Sequence, residues 1–361
     1  VKAWGDEPRR DAAGDERNDK IEAIEAAGID LDPRGRGPLS GPGSEAADSG
    51  LDHDHGDGRP HDHAHPHVAS AAGAPPVIGI VGAGAVGTAL GVALMRAGWP
   101  VAAVASRDPG RRERFRGHVP GARAFAEATA LVEEVELVIV AVPDDAIPSV
   151  AASLRLYSGQ AIVHTSGLLD ASALAPAMAA GTQAGSFHPL VAFADTERAV
   201  AALRGATIAI EGDDQLAALL ARMADALGGV PVRLAAGAKA AYHAAAVLAA
   251  GGFVALLDAI AELGRVAGLD EAGSLAVYGP LIEQTLGNAR ALGIAAALTG
   301  PATRGDAGTL DAHLAALRAH APGVVGLYVA AAEREIELAA ARGAVTPEVA
   351  RRLRSSLATH V

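Results

Sequence analysis

Residues Val77 to Val81 read VIGIV, and the chain continues through Gly82-Ala83-Gly84-Ala85-Val86-Gly87 into an apolar stretch that stops at Gly98. A short continuous apolar run reads as a strand buried on both faces, and the apolar stretch closed by glycine reads as a helix. Between them each glycine has a distinct task. Gly82 permits the tight turn, Gly84 lets a diphosphate approach the backbone, and Gly87 lets the helix pack close to the strand. Ala85 and Val86 open the helix, whose unpaired N–H groups form an anion site. The order of strand, glycine turn and helix predicts a dinucleotide site, with a glycine-rich turn that holds no nucleotide as the alternative.

Strand-like runs recur at Val101 to Ala105, Leu137 to Val142, Gln160 to His164, Gln183 to Ser186, Thr207 to Glu211 and Val230 to Leu234, with helical segments between most of them. Such alternation predicts an α/β fold with a doubly wound, mostly parallel sheet. After Leu234 the strands cease. Helices are expected over Lys239 to Val266, Leu275 to Ala291, Thr309 to His320, Val324 to Ala341 and Pro347 to His360, the last with Thr346 as cap and Pro347 in its first turn. The expected divisions are a tail over 1–75, a nucleotide-binding domain over 76–234 and an all-α domain over 235–361.

The 361 residues are 50% hydrophobic but only 3% aromatic, so the cores must be built from Ala, Val and Leu. The absence of cysteine excludes disulfides, thiolate nucleophiles and cysteine-ligated metals. Net charge is −12, with 16 acidic and 8 basic residues in 1–75, which gives no basic face for nucleic acid. The longest uninterrupted apolar run, Ala244 to Leu257, is shorter than the ~20 residues of a membrane span. It is expected to be a buried helix, and neither a membrane anchor nor a secretory leader is expected, which leaves the cytoplasm as the default location. The tail is expected to be disordered. Within it His53, His55, His61, His63, His65 and His67 alternate with aspartate and small residues, a spacing able to hold Zn²⁺ or Ni²⁺ or simply a low-complexity extension.

Cofactor choice should be made at the end of the second strand, where Ser106-Arg107 offers a hydroxyl and a guanidinium to a ribose 2′-phosphate. Asp108, just before Pro109, suits a helix cap better than a ribose contact, so NADP(H) is favoured. Val142, Pro143 and Asp144 end another strand over the same cleft. His164-Thr165-Ser166-Gly167 and Ser186-Phe187-His188-Pro189 end the next two. Thr165, Ser166 and Gly167 are therefore candidates to bind substrate, and Ser166 and His188 candidates for catalysis.

In the helical region Lys239 and His243 stand four apart, on one helix face beside Tyr242. Lysine fills only 3 of the 30 basic positions, and Lys239 is the one outside the tail. Lys239 and His243 are the candidate proton donors, although a surface lysine and a structural histidine would read the same way. Asn288, Thr299, Arg304 and Asp306 are further candidates for substrate binding.

Six stretches together resemble a known family: GAGAVGTAL (82–90), AVPDDAI (141–147), HTSG (164–167), SFHPL (186–190), KAAYHAAAV (239–247) and LTGPATRGD (298–306). Residues 77 to about 341 are similar to oxidoreductases that join a Rossmann-like domain to a helical domain of unknown function, DUF2520. The resemblance implies a Rossmann-type fold related to pyrroline-5-carboxylate reductases, β-hydroxyacid dehydrogenases and ketopantoate reductases. It also implies a small-molecule substrate and a homodimer formed through the helical domain. Where similar proteins carry Asn eight or nine residues after the motif histidine, this chain has Gly251-Gly252. The expected function is NADP(H)-dependent reduction of a small 2-oxo acid or imine, ketopantoate being one such substrate. A non-catalytic NADP(H)-binding sensor is the alternative.

Overall fold

The computed structural model describes residues 73–179 and 181–358. The expected disorder of the tail and its six-histidine tract lie outside the described residues. The chain divides into two compact units, one through Ala246 and one from Val247.

The first unit is built on an eight-stranded sheet: β1 (Ile78–Val81), β2 (Val101–Ala105), β3 (Arg123–Phe125), β4 (Leu137–Val140), β5 (Ala161–His164), β6 (Gln183–Pro189), β7 (Thr207–Glu211) and β8 (Val230–Arg233). Their spatial order is 3-2-1-4-5-6-7-8. Every pairing is parallel except that of β6 with β7. The mostly parallel, doubly wound expectation is therefore met. β1, β4 and β5 are buried at every position, as continuous apolar runs require when helices cover both faces. Alternate residues divide between two cores. Ile78, Ile80, Leu137 and Ile139 pack with Leu90 and Leu94 on one side, and Val81, Val138 and Val140 with Leu131, Ile147 and Leu154 on the other.

β1 lies between β2 and β4, so consecutive connections leave it in opposite directions. At such a switch point the carboxyl ends of the strands open a crevice. The backbone bonds Gly82 N to Ala105 O (2.8 Å) and Ala141 N to Val81 O (2.7 Å) fix the three strand ends that border it.

The second unit contains helices Phe253–Val266, Glu271–Leu292, Ala307–His320, Val325–Ala341 and Pro347–Ala358, with short turns of helix at Ile294–Ala297 and Pro301–Arg304. Leu310, Leu314, Leu317, Ile336, Leu353 and Leu357 form its core. Asp270 caps the helix at Glu271 through the Gly273 N–H (2.7 Å), and Thr346 does the same for the last helix through the Val349 N–H (3.3 Å).

Two expectations need correction. Lys239 to Val266 is helical, but a π turn at Leu248–Gly252 interrupts it at the glycine pair. The apolar run at 244–257, expected to be buried, faces solvent in the described chain, with Leu248 72% and Val254 64% exposed. The core of the second unit is filled mainly by later helices, which leaves these side chains uncovered. This helix is also the one among the described residues long and apolar enough to cross a membrane by length and composition alone.

Candidate active site

The glycine turn has the close approaches that its spacing demands. Gly82 sits at φ +110°, and a Cβ there would lie 2.2 Å from Ala141 O. A Cβ on Gly87 would lie 2.0 Å from Gly82 O, so helix Ala85–Arg96 can reach the strand only through glycine. Gly84 faces open space, and the helix it precedes has neither a side-chain cap nor an acidic residue in its first turn. Its first N–H groups are therefore free for an anion. Before them lies a cleft of about 820 Å³, walled by the turn, by Ser106, Arg107 and Arg111, and by Val142, Pro143 and Thr165. Space at Gly84, an uncapped helix start and two guanidinium groups on one cleft fit a phosphorylated dinucleotide.

Asp108 is the cap that the sequence suggests. Its Oδ1 accepts from the Arg111 N–H (3.1 Å), which holds the carboxyl below the usual range. Arg112 fastens the loop by donating to Ser106 O (2.5 Å) and Arg107 O (3.2 Å). Among the described residues the Arg107 side chain has no hydrogen bond or ion pair, so its guanidinium is available to a ligand. Arg111 escaped the sequence reading. Its place in the first turn of helix Pro109–His118, next to the Ser106-Arg107 strand end, was the available signal.

Asp144, expected beside the cofactor, turns instead to Ser166, whose hydroxyl donates to its Oδ2 (2.8 Å). The Ser166 oxygen also accepts from the N–H groups of Leu168 (3.1 Å) and Leu169 (2.9 Å). With its one proton and both lone pairs engaged, Ser166 shapes the loop. His164 supports the same loop. Its Nδ1 accepts from the Ser166 N–H (3.2 Å), so the tautomer has its proton on Nε2, donated to Asp170 O (2.9 Å). Burial keeps this imidazole neutral by lowering its pKa.

Beyond the loop, Lys239 begins helix Lys239–Val247, and its side chain is only 13% exposed. Its Nζ donates to Ser186 Oγ (2.9 Å) and Glu211 Oε2 (3.3 Å). Burial pushes the ammonium's pKa down, while the charge and hydrogen bond of Glu211 push it up. One turn on, His243 sets its ring edge-on to His188, with centroids 5.7 Å apart, and Tyr242 meets His188 in the same way. A Cβ on Gly167 would lie 2.4 Å from His243 Nδ1 and 2.8 Å from His188 Nε2, so this glycine lets the loop close on both rings. Burial and the neighbouring His243 lower His188 to about 4, so it is neutral near pH 7. His188 Nδ1, His243 Nδ1 and Tyr242 Oη are buried without a partner among the described residues. All three belong to the side chains of this one ring cluster, and buried polar atoms left unpaired are unusual in a folded core.

The structure thus brings Lys239, His243, His188 and Gly167 together within the first unit. Asn288, Thr299, Arg304 and Asp306 belong to the second. The first three are exposed. Asp306 caps helix Ala307–His320, accepting from the Thr309 N–H (3.1 Å) and hydroxyl (2.7 Å). Its carboxylate is thus engaged by Thr309. No cluster of metal-ligating side chains occurs among the described residues.

A switch-point cleft bounded by a glycine turn defines a Rossmann-type nucleotide-binding unit, and the sequence matches the Rossmann-like domain over residues 65–189. It matches the domain of unknown function DUF2520 over residues 206–335, so the chain joins a Rossmann-like domain to a DUF2520 domain. No curated protein matches the sequence. Among solved structures it is similar to a Bacteroides fragilis protein provisionally assigned as an NADP oxidoreductase (24% identity, TM-score 0.62, covering 73% of this chain and 98% of that one). It is similar to 1-pyrroline-5-carboxylate reductase from Streptococcus pyogenes (18%, 0.53, 73% and 98%). It is also similar to a reductive aminase from Aspergillus terreus in complex with NADPH and ethyl-5-oxohexanoate (21%, 0.52, 79% and 93%). At these identities the likeness is one of fold.

Proposed function

We propose that this protein is an NADP(H)-dependent reductase of a small 2-oxo acid or imine. The observation that carries the reading is the pairing, in one unit, of an open glycine turn with a largely enclosed lysine bonded to Ser186 and Glu211. Thr165 lines the cleft, and Ser166 and Gly167 next to it belong to the loop that meets His188 and His243. NADPH is bound by the Aspergillus reductive aminase, whose fold this chain shares.

The nicotinamide, when bound, supplies the reducing equivalents. The protein's own tasks are to orient the substrate, exclude water and deliver a proton. Ser106, Arg107 and Arg111 hold the 2′-phosphate. The Gly84 to Gly87 backbone holds the diphosphate, with Val142 and Pro143 as the apolar wall. Lys239 is the donor: its ammonium gives one proton to the oxygen or nitrogen being reduced and becomes an amine that solvent reprotonates. Thr165, Gly167 and His243 position the substrate.

Arg107→Ala tests the cofactor assignment. Losing a charge-assisted bond to phosphate costs ~1.5–3 kcal/mol, so NADPH affinity should fall roughly 10- to 150-fold while NADH affinity hardly moves. Equal affinity of the unmodified protein for both nucleotides would overturn the assignment.

The same reading includes a homodimer. Leu248, Val254, Leu281 and Leu286 are each more than half exposed, an apolar surface of the kind that marks a protein contact. Sedimentation equilibrium at micromolar concentration should show twice the 36.0 kDa chain mass, and a monomer alone would contradict it.

A further inference from the structure

Glu211 closes β7, a strand that reads TIAIE and is buried at its three central residues. Antiparallel pairing with β6 sets Glu211 opposite Ser186. Its Oε2 accepts from the Ser186 hydroxyl (3.2 Å), from the Ala171 N–H (3.1 Å) and from Lys239 Nζ (3.3 Å). Since Lys239 also donates to Ser186, two of its three ammonium protons are engaged and the direction of the third is fixed.

We propose that Glu211 is a positioning residue that keeps Lys239 charged and aimed, with Ser186 as the bridge between them. The inference rests on the reading of Lys239 as proton donor. A lysine taken out of water tends to lose its proton, and an adjacent carboxylate is the arrangement that opposes this. Asp144 and Asp170 also favour the ammonium through space, but neither is hydrogen-bonded to it: Asp144 accepts from Ser166, and Asp170 from the N–H and hydroxyl of Ser172. His164 and His188 are held neutral by burial. His243 and Tyr242, on the lysine's own helix, bring no negative charge near pH 7. Glu211 is the carboxylate in direct contact with Nζ. Its anchor to the Ala171 backbone N–H holds it in place independently of the lysine.

The scarcity of lysine makes this measurable without any substrate. In protein labelled with [ε-¹³C]lysine three signals are expected, and Lys239→Met identifies the relevant one. Glu211→Gln should lower the proton affinity of Lys239 at least about tenfold in an NMR titration. Glu211→Asp, which keeps the charge one methylene further away, should give an intermediate value. In turnover, the alkaline limb of the kcat profile of Glu211→Gln should move to lower pH by the same factor. An unchanged Lys239 titration in either folded variant would overturn the inference. If instead Lys239→Met retained full turnover while the titration shifted as expected, the electrostatic coupling would stand and the donor role would fall.

Discussion

Lys239→Met should lower kcat by ~10²–10⁴ and leave the NADPH dissociation constant nearly unchanged, the loss typical of removing a positioned general acid. The split follows from placement. Lys239 does not line the nucleotide cleft, so cofactor affinity has no reason to change. Its ammonium instead lies in a largely enclosed polar cluster, bonded to Ser186 and Glu211. Composition sharpens the expectation, because arginine fills 27 of the 30 basic positions and only a lysine can release and regain its proton near neutral pH. Lys239→Arg should therefore fail to restore turnover although it restores charge. His243→Ala, which removes a neighbouring ring but leaves the donor, should do less damage.

Gly87→Ala should destabilise the first unit and weaken NADPH binding at least about tenfold. In an ordinary helix the same change stabilises by ~1 kcal/mol, so the sign of the effect isolates the packing. Here the added methyl would lie 2.0 Å from Gly82 O and 3.1 Å from the Ile80 side chain. A backbone oxygen cannot yield as a flexible side chain does. The helix must move away from β1, carrying its free N–H groups out of line with the diphosphate. A raised or unchanged melting temperature with full NADPH affinity would show that the helix does not approach the turn as closely as described.

The sheet was legible because β1, β4 and β5 are buried at every position, which favours continuous apolar runs such as VIGIV or LVIV. β3 was not. Its three residues, RAF, form an edge strand with two exposed positions, too short for any period to emerge. The reversal of β7 was equally hidden, because an apolar strand reads alike in either direction, and with it was hidden the placing of Glu211 opposite Ser186. An acidic residue ending an apolar strand was the available sign. That Lys239 and His243 share one helix was legible from their spacing, a local property. The engagement of Asp144 by Ser166 was not, since it depends on how loops following two different strands close on each other. The exposed run at 244–257 shows the limit of hydropathy, which reports that a surface prefers to be covered without saying what covers it.

The most direct test of the reductase reading is NADPH consumption by the purified protein, followed by its absorbance, across a panel of 2-oxo acids and cyclic imines. At least one should accelerate oxidation to a kcat within the ordinary enzyme range of ~1–10³ s⁻¹, with NADH a much poorer donor. Tight NADPH binding without turnover of any member would contradict the reading and make the protein a nucleotide-binding sensor.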